Sequence, residues 1–139
     1  MITKIGHVTV LVRDEDEALA FYCGILGFEK RSDVEFGPGM RWVTVGPPGQ
    51  SEIEVVLQKP NPLMHGEEGA RRLEARIGQG TTWVLHTDDI EAEYERLKAE
   101  GVYFTGEIRQ QPWGRDAMFT DLYGNVFNLL QTPDHPSDT

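Results

Sequence analysis

The stretch His7-Val8-Thr9-Val10-Leu11 decides how this chain is interpreted, because a related stretch, residues 82–86 (Thr-Trp-Val-Leu-His), follows it at an offset of 75 residues. In the first stretch the valines alternate with the other side chains, and this period of two predicts a β-strand with one buried face. Residues 53–55 and 127–129 also match, at an offset of 74 residues. An internal repeat of this length predicts two copies of one structural unit.

The first copy continues with a helix whose two ends are marked in the sequence. Asp14 is suited to be its N-cap, and Glu17, three residues later, is suited to be the capping-box partner. Gly27 follows the helical spacing of apolar residues and supplies the left-handed conformation that ends many helices. Three strand-like stretches then follow, separated by turns rich in glycine and proline; they are residues 28–35, 41–45 and 52–58.

The second copy has the same order. Residues 81–87 predict a strand, Asp88 or Asp89 predicts the start of a helix, and Gly101 predicts its end. The helix has an apolar stripe at helical spacing, formed by Ile90, Tyr94 and Leu97. The strand-like stretches after it are residues 102–109, 116–120 and 126–131. Residues 60–80 link the copies and contain a predicted short helix near residues 67–76.

Composition restricts the classes of partner. The chain has 139 residues and a net charge of −10, so it repels phosphate backbones and anionic lipids, and we expect neither a nucleic-acid nor a membrane partner. The one cysteine, Cys23, forms no internal disulfide. No apolar run approaches the roughly 18 residues of a membrane span, and the first residues lack a signal-peptide pattern. The predicted location is therefore cytoplasmic.

The repeated βαβββ order resembles the vicinal oxygen chelate superfamily. This superfamily includes glyoxalase I, bleomycin-resistance proteins, fosfomycin-resistance enzymes and extradiol dioxygenases. The resemblance covers roughly residues 4–132. The motifs that carry it are Gly6-His7-Val8, Ala20-Phe21-Tyr22 running into Leu26-Gly27-Phe28, Ile53-Glu54, the capped helix at residues 89–101, and Phe119-Thr120-Asp121-Leu122-Tyr123-Gly124-Asn125.

The resemblance implies an α+β fold in which two βαβββ modules form a curled mixed β-sheet cup with helices outside. A small molecule binds in the concave face of such a cup. It also implies a single glyoxalase-like domain over residues 1–139 and pairing of two chains into a homodimer. The parts of that domain are module 1 at about residues 4–59, a linker at 60–80, module 2 at about 81–132 and a tail at 133–139.

The superfamily's metal site takes one ligand from the first strand and one from the fourth strand of each module. Carried over position by position, those places hold His7, Glu54, Thr82 and Asn128. An imidazole and a carboxylate suit a divalent transition metal, whereas a threonine hydroxyl and an asparagine amide are weak ligands. We therefore expect no cofactor. The alternative is a divalent metal on the incomplete set of His7 and Glu54.

Ligand-binding residues are expected on the same concave face. Strand alternation places His86 on the face of Thr82, so a displaced metal set of His7, Glu54 and His86 stays open. Trp113 lies in a turn at the mouth of a strand and could stack on a ligand, while Trp42 is undecided. The expected ligand-binding residues are His7, Thr82, His86, Trp113 and Asn128.

Three functions remain open from the sequence. The incomplete metal set and the acidic balance favour a metal-free protein of the bleomycin-resistance type, which binds a small molecule; the acidic balance is compatible with a cationic one. Retention of His7 and Glu54 keeps open a divalent-metal-dependent lyase, isomerase or dioxygenase, in which Glu54 would be catalytic. The third is an interaction module with a vestigial cup.

Overall fold

The same order of elements occurs twice in the computed structural model of the chain, which describes residues 1–133. The chain forms two compact units, unit 1 at Met1–Gln79 and unit 2, which begins at Gly80. Each unit is βαβββ in its order, although the third position of unit 2 is split into two short strands. The α+β fold class that the resemblance implies is therefore confirmed.

Unit 1 contains a four-stranded mixed sheet with the strand order β1-β4-β3-β2. Strand β1 pairs in parallel with β4, and β3 pairs antiparallel with both β4 and β2. The first and last strands of the unit are thus neighbours. The elements are β1 (His7–Leu11), α1 (Glu15–Leu19), a π-helical continuation of α1 (Ala20–Ile25), β2 (Glu29–Gly37), β3 (Met40–Gly46), β4 (Glu54–Gln58) and α2 (Pro62–Arg76).

Unit 2 contains a second mixed sheet with the order β5-β9-β8-β6, and β7 also pairs with β8. Its first and last strands, β5 and β9, again pair in parallel. The elements are β5 (Trp83–His86), α3 (Ile90–Ala99), β6 (Tyr103–Phe104), β7 (Arg109–Gln111), β8 (Gly114–Thr120) and β9 (Val126–Gln131).

The helix ends lie where the sequence marks them. The backbone N–H of Glu17 donates to Asp14 Oδ1 at 2.8 Å, and that of Ala92 donates to Asp89 Oδ1 at 3.1 Å, so both aspartates are N-caps. Gly27 and Gly101 follow the helices with φ of 85° and 90°, the left-handed conformation that glycine adopts most readily. The predicted stripe of α3 is buried, namely Ile90, Tyr94 and Leu97.

Two segments differ from the sequence prediction. The stretch predicted as one strand at residues 102–109 is split into β6 and β7, because Phe104 registers with Phe119 and Arg109 with Asp116. Residues 105–108 therefore face only residues 117 and 118 and bulge out of the ladder.

The linker helix is longer than predicted. It begins at Pro62, with the Asn61 side chain accepting from the Leu63 backbone N–H at 2.7 Å. A non-helical residue, Gly66, kinks it.

We call one face of each sheet the core face, although Val56 and Leu130 on the opposite faces are also buried. In unit 1 this face carries Val10, Val43 and Val45, all fully buried, and α1 packs against β4. In unit 2 it carries Phe119 and Phe127, which are 0% and 1% exposed, and α3 packs against β8 and β9. Along residues 1–133, no helix combines the length and the apolar character needed to cross a membrane.

Candidate functional site

The non-core face of the unit 1 sheet brings together His7, Glu54 and two residues of β3. His7 registers with Glu54, and Val56, two residues further along β4, registers with Thr44 of β3. Residues that lie opposite each other in neighbouring strands point to the same side of a sheet, and so do residues two apart in one strand. We call this surface the His7 face; it comprises His7, Trp42, Thr44, Glu54 and Val56.

His7 and Glu54 form a loose pair on this face. His7 Nε2 lies 3.7 Å from Glu54 Oε1, with the two side chains 50% and 29% exposed. That separation is too long for a hydrogen bond. The carboxylate thus keeps its accepting capacity for a bound group, and the two side chains offer an imidazole and a negative charge next to each other.

Trp42 contributes an aromatic ring to the face. It precedes Thr44 by two residues in β3 and lies on the side of Thr44 away from Glu54. Its ring centroid is nevertheless 5.5 Å from that of His7, with an interplanar angle of 60°. The indole must therefore extend diagonally across the face to reach the imidazole. Trp42 is still 37% exposed, so part of the ring is accessible for stacking.

Thr44 is the buried polar residue of the His7 face. It is 0% exposed, and its Oγ1 has no hydrogen-bond partner among the residues that the structure describes. A buried hydroxyl without a partner is uncommon and costs about 1–3 kcal/mol. The His7 face therefore combines an aromatic ring, a carboxylate and an unsatisfied hydroxyl.

Unit 2 has a corresponding non-core face with different chemistry. Asn128 registers with Val84 of β5 and with Met118 of β8, while Leu130 registers with His86 and with Asp116. We call this surface the Asn128 face; it comprises Val84, His86, Asp116, Met118, Asn128 and Leu130. As strand alternation predicted, His86 does not share the core face, which in β5 holds Trp83 and Leu85.

Thr82 and Trp113 lie at the margins of unit 2. Thr82 precedes β5 and has a φ of 48°. In the register of β5 with β9, the residue opposite Asn128 is Val84 and not Thr82. The sequence offset alone could not show this shift, because register depends on which strand residues pair. Trp113 lies in the turn between β7 and β8 and is 54% exposed.

The donor set does not fit a resident divalent metal. Within residues 1–133, no group of three or more His, Cys, Asp and Glu side chains is placed to hold one, and the pair of His7 and Glu54 supplies two strong ligands where a catalytic site uses three. Nor is Cys23 a ready nucleophile, because burial raises the pKa of its thiol.

Sequence reasoning missed two residues of these faces. Trp42 stayed undecided because its reach depends on the register of β3 against β4. For Asp116, which is 1% exposed, the sequence pattern predicts only a place in a strand. A charged residue within the otherwise apolar stretch of residues 116–119 was the available signal for it.

Comparison with known proteins places the chain in a family. The model of the Glyoxalase/Bleomycin resistance protein/Dioxygenase superfamily matches residues 4–129. The uncharacterized protein YetH of Bacillus subtilis (strain 168) is 37% identical over 131 residues, which cover 94% of this chain and 100% of YetH.

Two solved structures are similar over almost their whole length. The crystal structure of UcmS2 is 42% identical with a TM-score of 0.83, covering 94% of this chain and 98% of that one. TnmS3, an antibiotic binding protein from Streptomyces sp. CB03234, is 33% identical with a TM-score of 0.73, covering 95% and 98%. With the repeat, both sheets and the family model in agreement, the chain belongs to the Glyoxalase/Bleomycin resistance protein/Dioxygenase superfamily.

Proposed function

We propose that this chain is a metal-free binding protein for a small molecule, with the His7 face as its binding surface. The observation that carries the proposal is the His7 imidazole, whose ring lies 5.5 Å from the Trp42 ring and whose Nε2 lies 3.7 Å from the Glu54 carboxylate. A partly exposed indole offers a stacking surface. The Glu54 carboxylate on the same face attracts a cation or a hydrogen-bond donor.

This combination favours a ligand with a planar ring and a positive charge. The net charge of −10 adds attraction for a cationic ligand at long range. The similarity to TnmS3, an antibiotic binding protein 33% identical to this chain, supports binding over catalysis.

The proposal also includes a homodimer in the cytoplasm. Sedimentation velocity that gave a monomer at tens of micromolar would contradict the dimer.

The test removes the charge of Glu54 and keeps its shape. Metal-free bleomycin and planar cationic dyes such as proflavine are titrated by calorimetry, and the tightest binder serves as the probe. Glu54→Gln should weaken its binding at least about tenfold, or about 1.4 kcal/mol, because the amide keeps the volume but loses the charge. The melting temperature should stay the same or rise, since a partly buried carboxylate loses hydration.

Glu52→Gln is the matched control. Glu52 is exposed and precedes β4, so its loss should change the affinity less than about twofold. Two results would contradict the proposal: no probe binds, or Glu54→Gln unfolds the protein while the folded fraction binds normally. The first would favour an interaction module, and the second would make Glu54 a structural residue.

The second candidate function is a metal-dependent enzyme of the superfamily. The one observation in its favour is the imidazole and carboxylate of His7 and Glu54, 3.7 Å apart on one face. Elemental analysis after purification without chelators tests it. Stoichiometric Ni, Zn, Mn or Fe that His7→Ala removes would favour the enzyme over the binding protein.

A further inference from the structure

A buried carboxylate organises the Asn128 face of unit 2. Asp116 is 1% exposed and accepts two hydrogen bonds, from Arg109 Nε to Oδ1 at 3.2 Å and from Asn128 Nδ2 to Oδ2 at 3.2 Å. Arg109 belongs to β7, and its side chain is 56% exposed. The negative charge of Asp116 is therefore balanced by a guanidinium that still reaches solvent.

Asp116 fixes the orientation of the Asn128 amide. An ionised carboxylate only accepts hydrogen bonds, so the side of the amide that faces it must be the NH2 group. The carbonyl oxygen Oδ1 must then face away from Asp116. This oxygen is buried and, within the described part of the chain, has no hydrogen-bond partner.

Rotation of the Asn128 side-chain amide by 180° would not satisfy Oδ1. A flip would place Oδ1 against the carboxylate and exchange an attraction for a repulsion between two acceptors. Oδ1 is thus held as an acceptor that lacks a donor. A buried acceptor of this kind costs about 1–3 kcal/mol, which a donor brought by a ligand would recover.

The surroundings determine which donor suits this oxygen. Val84 and Met118 flank Asn128 in register, and Leu130, two residues along β9, is 8% exposed. Apolar neighbours penalise a charged group, whereas a hydroxyl or an amide N–H loses much less hydration. Met118 is flexible enough to move aside for a ligand, since its unbranched side chain changes rotamer easily.

We propose that Asn128, held by Asp116, is an acceptor subsite for the hydroxyl or N–H group of an uncharged, largely apolar small molecule. Asp116 is the positioning residue, since it acts through the amide and not by touching the ligand. This subsite does not depend on a ligand at the His7 face.

The test uses the full chain labelled with 15N. The probes are 2-naphthol, which has a hydroxyl donor, and 2-methoxynaphthalene, in which a methyl group replaces the hydroxyl hydrogen. 2-Naphthol should shift the Asn128 side-chain NH2 resonances and bind about fivefold more tightly than the methoxy compound, as one uncharged hydrogen bond predicts. The Trp42 indole resonance in the same spectrum reports binding at the His7 face separately.

Two substitutions separate positioning from packing. Asp116→Asn keeps the shape but lets the Asn128 amide turn, so the preference for 2-naphthol should fall to about twofold or less. Asp88→Asn, the same change at an exposed aspartate of unit 2, should leave the preference intact.

Three results would overturn the proposal. In the first, the Asn128 resonances do not respond to 2-naphthol at millimolar concentration. In the second, both compounds bind the native chain equally. In the third, a folded Asp116→Asn chain keeps the full preference. Should Asp116→Asn fail to fold, the preference of the native chain decides alone.

Discussion

The two units build one topology but differ in whether the sheet contributes fully buried aromatic side chains. In unit 1 the rings belong to the helical segment, where Phe21 and Tyr22 are 4% and 1% exposed, and the sheet supplies fully buried valines such as Val45. In unit 2 the sheet supplies rings too: the centroids of Phe119 and Phe127 lie 5.6 Å apart, and Tyr94 of α3 is buried as well. The βαβββ arrangement therefore requires that the space between helix and sheet be filled, and either layer can supply the volume.

The non-core faces differ as much as the cores. On the His7 face, His7 lies opposite Glu54, whereas on the Asn128 face an apolar residue, Val84, lies opposite Asn128. The first arrangement presents a charge and the second presents a neutral acceptor. Repetition of the topology has thus preserved the positions of the two faces while their chemistry has diverged.

The largest expected effect tests the difference between the cores. Phe119→Ala should reduce the free energy of unfolding by about 3–5 kcal/mol, because it leaves a cavity between neighbouring rings. Val45→Ala, at an equally buried sheet position of unit 1, removes only two methyl groups and should cost about 2 kcal/mol. Urea denaturation of both variants measures the difference. Equal costs would mean that the sheet of unit 2 does not depend on its aromatic residues.

The second prediction compares the stability cost of a glycine substitution in a turn between antiparallel strands of each sheet. Gly114 starts β8 with a φ of 144°, and a side chain there would collide with the backbone carbonyl of Gln131. Gly114→Ala should therefore cost about 2–3 kcal/mol.

Gly39 in unit 1 provides the contrast, since it has a φ of 70° but meets no atom closer than 3.5 Å. Gly39→Ala should cost only about 1 kcal/mol, from the backbone conformation alone. Thermal and urea unfolding would show both values, and a Gly114→Ala cost no larger than that of Gly39→Ala would contradict the close approach.

The smallest effect concerns an ion-pair network of unit 1. Arg41 donates to both oxygens of Asp33, at 2.8 and 2.9 Å, and to Asp16 of α1 at 2.9 Å. These hydrogen bonds lower the pKa of Asp33 to about 2. Because the pKa of Asp33 is lower in the folded state than in the unfolded state, its stabilisation is complete above pH about 4 and is lost as the pH falls towards 2.

Asp33→Asn should therefore cost about 1 kcal/mol at neutral pH, after allowance for solvent screening, and much less near pH 2. Glu35→Gln, on the same strand but exposed, is the control and should show no such pH dependence. Urea midpoints across this pH range measure both. A cost that stays constant with pH would show that the Asp33 carboxylate is not stabilised by Arg41.

Local signals in the sequence were sufficient to predict the helices and strands. They were insufficient to predict which side chains are neighbours on the His7 face and the Asn128 face. Caps such as Asp14 and terminators such as Gly27 act within one or two turns of chain, so their sequence patterns determine them. The neighbours of Trp42, Asp116 and Asn128 depend on strand register. Register follows from pairing across the whole unit, which the chain offset between the copies does not reveal.

The parallel pairing of β1 with β4 also has a consequence for how the chain folds. His7 and Glu54 meet across a long stretch of chain, so closure of this contact carries a large entropic cost compared with the local β2–β3 hairpin. During synthesis the edge of β1 stays unpaired until β4 has left the ribosome, and an unpaired strand edge is a site for association with other chains. The order of synthesis thus makes unit 1 vulnerable to aggregation until its last strand is complete. In unit 2 the same holds for β5, which stays unpaired until β9 is synthesised.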